Sequence, residues 1–167
     1  MNAPEIAAHI LDNSISRADF AFSADRKNGA QALGRSRGGL STKIHALVEG
    51  LGNPARWSLT AGQTHDITQA LALLEGLEFT VLVADTAYDA NALLERIEGS
   101  DAIAVIPPRA YRREPRSFDR HRYRHRNLIE RFFCRLKHFR RIATRYEKLA
   151  CRFSAFIAIV AAFIWLA

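Results

Sequence analysis

Phe79-Thr80-Val81-Leu82-Val83-Ala84-Asp85 reads as a continuous apolar run closed by an acid. A strand apolar on both faces belongs inside a sheet covered by helices, which points to an α/β fold. The flanking residues agree. Before it, Ile67 to Leu74 reads as a helix with Asp66 at the N-cap and Gly76 at the stop. After it, Ala90 to Glu98 reads as a second helix stopped by Gly99, followed by a short strand, Ala102 to Ile106, and the break Pro107-Pro108.

Further upstream, Ala8 to Ile15 is a candidate strand carrying Asp12, and Asp19 to Gly39 is a polar loop rich in Gly, Arg and Ser. Thr42 to Val48 alternates, Glu49 to Pro54 turns the chain, and Ala55 to Leu59 resumes, which is a hairpin pattern. Downstream, Tyr123 to Lys137 sets Tyr123, Arg126, Glu130 and Lys137 on one helical stripe, because positions seven apart nearly coincide at about 100° per residue. Ile129, Phe132, Phe133, Leu136 and Phe139 form the opposite, apolar stripe, which would fasten the helix to a core. An apolar terminal helix closes the chain, from Phe153 to Leu166.

The 167 residues, 49% hydrophobic, suit a single domain over 1–167, with no repeat or linker that would divide it. Charge is unevenly spread. Residues 1–108 hold 8 Lys and Arg against 13 Asp and Glu, whereas residues 109–167 hold 16 against 4. A basic surface beside an acidic one suits a polyanion site next to a metal site, with nucleic acid as the leading partner. Cys134 and Cys151 fit no metal-ligand spacing and read as reduced thiols of an intracellular protein. Met1 to Ile10 lacks the pattern of a signal peptide, and the terminal apolar stretch is too short to span a bilayer, so no membrane partner is expected.

The element order is strand, strand, strand, helix, strand, helix, strand, helix. It matches the ribonuclease H-like fold, a mixed five-stranded sheet with flanking helices, here followed by the apolar helix. In that fold the first and fourth strands are neighbours, so Asp12 and Asp85 would meet in space.

With these residues in place, the chain resembles the DDE transposases of bacterial insertion sequences, specifically the insertion-sequence-five-like group. The signature Y-(2)-R-(3)-E-(6)-K is present as Tyr123, Arg126, Glu130 and Lys137. Ala84 to Asp89 resembles the group's D-K-G-Y-D block, and Gly34 to His45 its glycine-arginine loop and second strand. Three positions depart: Asp19 stands where the group usually has His, and Thr86 and Ala87 stand where it has Lys and Gly. The resemblance implies that Asp12, Asp85 and Glu130 are a catalytic, metal-holding triad for two Mg²⁺ ions, with Mn²⁺ as a substitute. It also implies metal-dependent cleavage and strand transfer on the element's terminal repeats and target DNA, by a homodimer assembled on DNA. Full-length relatives carry an N-terminal helical region that recognises the terminal repeats. With 11 residues before Asp12, this chain is expected to lack that region, which related elements can encode separately, and the resemblance implies a location in the bacterial cytoplasm at the nucleoid.

Tyr123, Arg126 and Lys137 are expected to hold DNA phosphates near the metals, and Arg35, Arg37 and Lys43 to contact DNA from the glycine-arginine loop and the strand after it. Each acid also has an ordinary reading: Asp12 in a strand-end turn, Asp85 capping the next helix, Glu130 in a spaced ion pair. His121 and His125 lie four apart, but their Arg neighbours oppose a metal ion. The competing functions are a catalytically inactive DNA-binding remnant of a transposase and a stand-alone nuclease of the same fold.

Overall fold

The computed structural model describes residues 8–18, 31–36, 39–114 and 116–166. Its strands are β1 (Ala8–Ala18), β2 (Gly34–Ser36), β3 (Gly39–Glu49), β4 (Pro54–Ala61), β5 (Val81–Ala84), β6 (Ile103–Val105) and β7 (Thr144–Arg145). The helices are α1 (Ile67–Leu74), α2 (Asn91–Glu98), α3 (Arg120–Tyr123), α4 (Asn127–His138), α5 (Arg140–Ala143) and α6 (Ala150–Leu166). The expected strands and helices are present, and two very short strands, β2 and β7, bring the sheet to seven.

The sheet runs β2-β3-β1-β5-β6, with β4 on β3 and β7 on β1. β1 is antiparallel to β3 and parallel to β5, and β5 is parallel to β6. One edge of β1 is shared: residues 8–11 pair with β5 and residues 17–18 with β7. Among the described residues that edge is open between the two partners, and Asp12 is the first residue of the opening.

Side chains alternate across the sheet with period two, so each face has its own core. Ile10, Ile44, Ala46, Val81 and Val83 pack on one face under α4 and α6. Leu11, Leu47, Leu82 and Ala84 pack on the other under α1 and α2. All four residues of β5 are buried, as its two-sided apolar run requires.

α4 buries Ile129, Phe132, Phe133 and Leu136, the stripe expected from the sequence. α6 buries Phe153, Ile157, Val160, Ala161 and Ile164 but leaves Ile159, Phe163, Trp165 and Leu166 exposed. No helix among the described residues is long and apolar enough to cross a membrane.

Candidate active site

Asp12 and Asp85 are brought together by strand register. Leu11 pairs with Ala84 across β1 and β5, so the next residue on each strand is an acid. Because Leu11 and Ala84 face α1 and α2, alternation turns Asp12 and Asp85 toward α4. Acids at the carboxyl end of a parallel strand, where its neighbour loses its partner, occupy the usual ligand position of an open α/β sheet.

Glu130 approaches from the first turn of α4. Its expected helix is not one uniform helix: α3 passes through a 3-10 turn, Arg124–Arg126, before α4 begins. The tighter turn shifts the exact seven-residue stacking of Tyr123 over Glu130, yet Arg126 still lies beside both.

One guanidinium joins the three acids. Arg126 donates from Nη1 to Oδ2 of Asp12 at 2.6 Å and from Nη2 to Oε1 of Glu130. Nη1 also lies 3.7 Å from Oδ2 of Asp85. The remaining oxygens hold the local backbone: Asp12 accepts from the Asn13 N–H at 2.8 Å, and Asp85 from the Thr86 N–H at 2.6 Å. Two of the ordinary readings are therefore present, Asp85 capping the 3-10 turn Thr86–Tyr88 and Glu130 in an i,i+4 ion pair, but inside one three-acid cluster.

Burial pushes the Asp12 carboxyl up to about 6, aided by the charges of Asp85 and Glu130 and opposed by the Asn13 N–H and Arg126. Burial disfavours the charge on Arg126, but the surrounding carboxylates and Tyr123 outweigh it and raise its pKa. Tyr123 packs edge-on against Phe118, with the Arg126 guanidinium 5.9 Å from its ring centre. Burial raises its hydroxyl pKa.

The donor chemistry fits a hard divalent cation, since all three side chains are carboxylates. Among the described residues, however, no group of three such ligands is arranged to hold one ion, and the Arg126 guanidinium lies between the three acids.

The proposed DNA ligands are placed unequally. Lys137 is exposed on the last turn of α4, two turns beyond Glu130, and Arg35 is exposed on β2 at the sheet edge. Arg37 lies outside the described residues, as does Asp19.

Lys43 is corrected: it is buried, and its ammonium donates to the Thr64 carbonyl at 2.8 Å and to Asp66 at 2.7 Å, so it is committed inside the fold. For the same reason Asp66 stands at the N-cap of α1 without a side-chain cap bond. The basic half is also not wholly free surface. Arg145 is fully buried, bonded to Thr42 and to the carbonyls of Gln31, Glu147 and Lys148.

Asp89, which the sequence reading named only as the end of the Ala84 to Asp89 block, has a positioning role. Its buried carboxylate accepts from the Arg109 N–H, Arg112 and Arg116, and so ties the basic segment after β6 to the end of β5. The signal available was its place in the D-x-x-Y-D block. A cavity of about 540 Å³ opens elsewhere, between His9, Val81, Arg122 and His125, and none of the three acids lines it.

Residues 6–165 match the model of the transposase DDE domain. A Brucella ovis protein named "Putative transposase for insertion sequence element IS6501" is 40% identical over 129 residues, which is 76% of this chain and 99% of that one. Among solved structures, a piggyBac transposase synaptic complex with hairpin DNA aligns with a TM-score of 0.46 at 13% identity, over 66% of this chain and 24% of that one. A Mos1 transposase paired-end complex with the left transposon end aligns at 0.35 and 12% identity, over 96% and 57%. The chain thus spans less than two thirds of either solved transposase.

Proposed function

The chain belongs to the transposase DDE domain family, and on that premise we propose that Asp12, Asp85 and Glu130 are the acids that carry out DNA cleavage and strand transfer for an insertion sequence. The observation that carries the reading is their convergence on one guanidinium from a strand interior, a strand end and a helix first turn. Residues 1–167 would form one ribonuclease H-like catalytic domain, and the Y-R-E-K spacing supports the insertion-sequence-five-like group.

Asp12, Asp85 and Glu130 would hold two Mg²⁺ ions, with Mn²⁺ as the substitute. Bound there, such ions activate the attacking oxygen and stabilise the leaving one in an in-line displacement at phosphorus.

The chain's own contribution is placement. Asp12 and Asp85 are fixed by strand pairing and by their N–H bonds, so two carboxylates keep their positions before substrate arrives. Arg126 offers a planar fork to a phosphate, Tyr123 lies beside it, and Lys137 and Arg35 add charge farther along the surface. In a first step water would cut at the element's end to free a 3′-hydroxyl. In a second, that hydroxyl would attack target DNA, joining the strands without a covalent enzyme intermediate. Two ends call for at least a dimer on DNA.

The test is cleavage of DNA carrying the cognate terminal repeats, with Mg²⁺ or Mn²⁺. Wild-type protein is expected to cut, and Asp85→Asn to lose at least about 10³-fold in rate while still binding DNA. Wild-type binding with no cleavage would instead favour an inactive DNA-binding remnant, the reading prompted by Thr86 and Ala87 beside Asp85.

A further inference from the structure

We propose that Arg126 is the resident counter-cation of the acidic cluster, exchanged for divalent metal during loading and thereby released to grip a DNA phosphate. The inference rests on the reading of Asp12, Asp85 and Glu130 as metal ligands, and it adds a competition that this reading does not contain.

Three features of the cluster lead to it. First, the guanidinium reaches all three acids at once, from Nη1 to Asp12 and Asp85 and from Nη2 to Glu130. The Asp12 Oδ2 lone pair that accepts an N–H at 2.6 Å, and the Glu130 Oε1 lone pair that accepts the other, are not available to a cation, so the guanidinium competes with a metal for these ligand positions.

Second, the charges do not balance. One guanidinium stands against three carboxylates, which leaves an excess of negative charge that suits a divalent ion better than a single Arg.

Third, the fork has an alternative partner. Arg126 ends the 3-10 turn ahead of α4, and its side chain keeps 22% exposure beside the Tyr123 ring. A phosphate arriving there would offer the fork the same planar, bidentate pairing that the carboxylates do. Metal and phosphate would then help one another, because each favours the arrangement in which Arg126 has left the acids.

The test is calorimetric titration of Mn²⁺ into the DNA-free full chain, which needs no catalytic turnover. Arg126→Gln is expected to bind Mn²⁺ at least about fivefold more tightly than wild type. Arg122→Gln removes a positive charge four residues earlier, one that pairs with Asp119 rather than with the three acids, and is expected to match wild type; an equal gain there would reduce the effect to general electrostatics and overturn the proposal. Asp85→Asn, which removes a ligand, should bind more weakly than wild type.

If wild type binds Mn²⁺ through Asp85 but Arg126→Gln binds equally or more weakly, the counter-cation role is wrong and the metal site stands. If neither wild type nor Arg126→Gln binds Mn²⁺, the metal reading itself fails. Should Arg126→Gln not fold by its thermal melt, Arg126→Lys decides. Its ammonium is a compact point charge without the planar fork that spans Asp12 and Glu130, so tighter Mn²⁺ binding than wild type is expected, and unchanged affinity overturns the proposal.

Discussion

Lys43 and His45 lie two apart on β3, so they share a face of the sheet, and both are buried beneath the α1 side. Lys43 pairs with Asp66 at 2.7 Å, whereas His45 bonds through Nε2 to the Thr60 hydroxyl at 2.8 Å. Burial pulls the His45 pKa down to about 4; the nearby Asp66 charge works against this shift and Lys43 adds to it. The unfolded imidazole takes its proton near the ordinary 6.5, well before the folded one does. The neutral ring therefore contributes stability that is full above about pH 6.5 and is lost as pH falls through about 4, on the order of 3 kcal/mol. His45→Gln should lose markedly less stability than wild type between pH 7 and pH 4.5 in denaturant melts; equal losses would show that His45 does not carry the acid limb. The sequence places Lys43 and His45 on an alternating strand, but nothing local says that the glycine-arginine side of that strand is covered. The same holds for Arg145, whose burial depends on partners about a hundred residues away.

At the scale of elements, α4 joins the acid to the fold. Glu130 projects from its first turn, while Ile129, Phe132, Phe133 and Leu136 anchor it to the sheet. Leu136 is almost fully buried two turns below Glu130, so Leu136→Ala should cost about 2 to 4 kcal/mol in unfolding free energy. Glu130 should also become less precisely placed, and cleavage should fall more than DNA binding does; a stability change near zero would mean that α4 is not fastened as described. The helix period that exposes this stripe was legible in the sequence, as were β1, β3, β4 and β5, because each carries a clear alternating or all-apolar pattern. The 3-10 turn Arg124–Arg126 was not, since a tightened turn leaves the residue pattern unchanged. β2 and β7, three and two residues long, are too short to show any period and exist because β3 and β1 offer them open edges.

Across the whole molecule, topology makes the site. A sheet whose two faces carry separate cores lets β1 and β5 run side by side, and the open edge of β1 just beyond β5 sets Asp12 next to Asp85 under α4. The expected pairing of β1 with β5 is present, and its register, with Leu11 opposite Ala84, sets the two acids side by side. What the sequence could not supply was the state of the cluster: three carboxylates drawn around Arg126, with Asp12 pushed up to about 6 by burial. The basic half is likewise part surface and part interior, since Arg112 and Arg116 are held by Asp89 and Arg145 is buried. The most direct measurement is anomalous diffraction from crystals of the protein soaked in Mn²⁺. The account predicts manganese peaks bounded by Asp12, Asp85 and Glu130, with the Arg126 side chain withdrawn from all three. Manganese found only elsewhere, for example between His121 and His125, with Arg126 still bridging the acids, would contradict it.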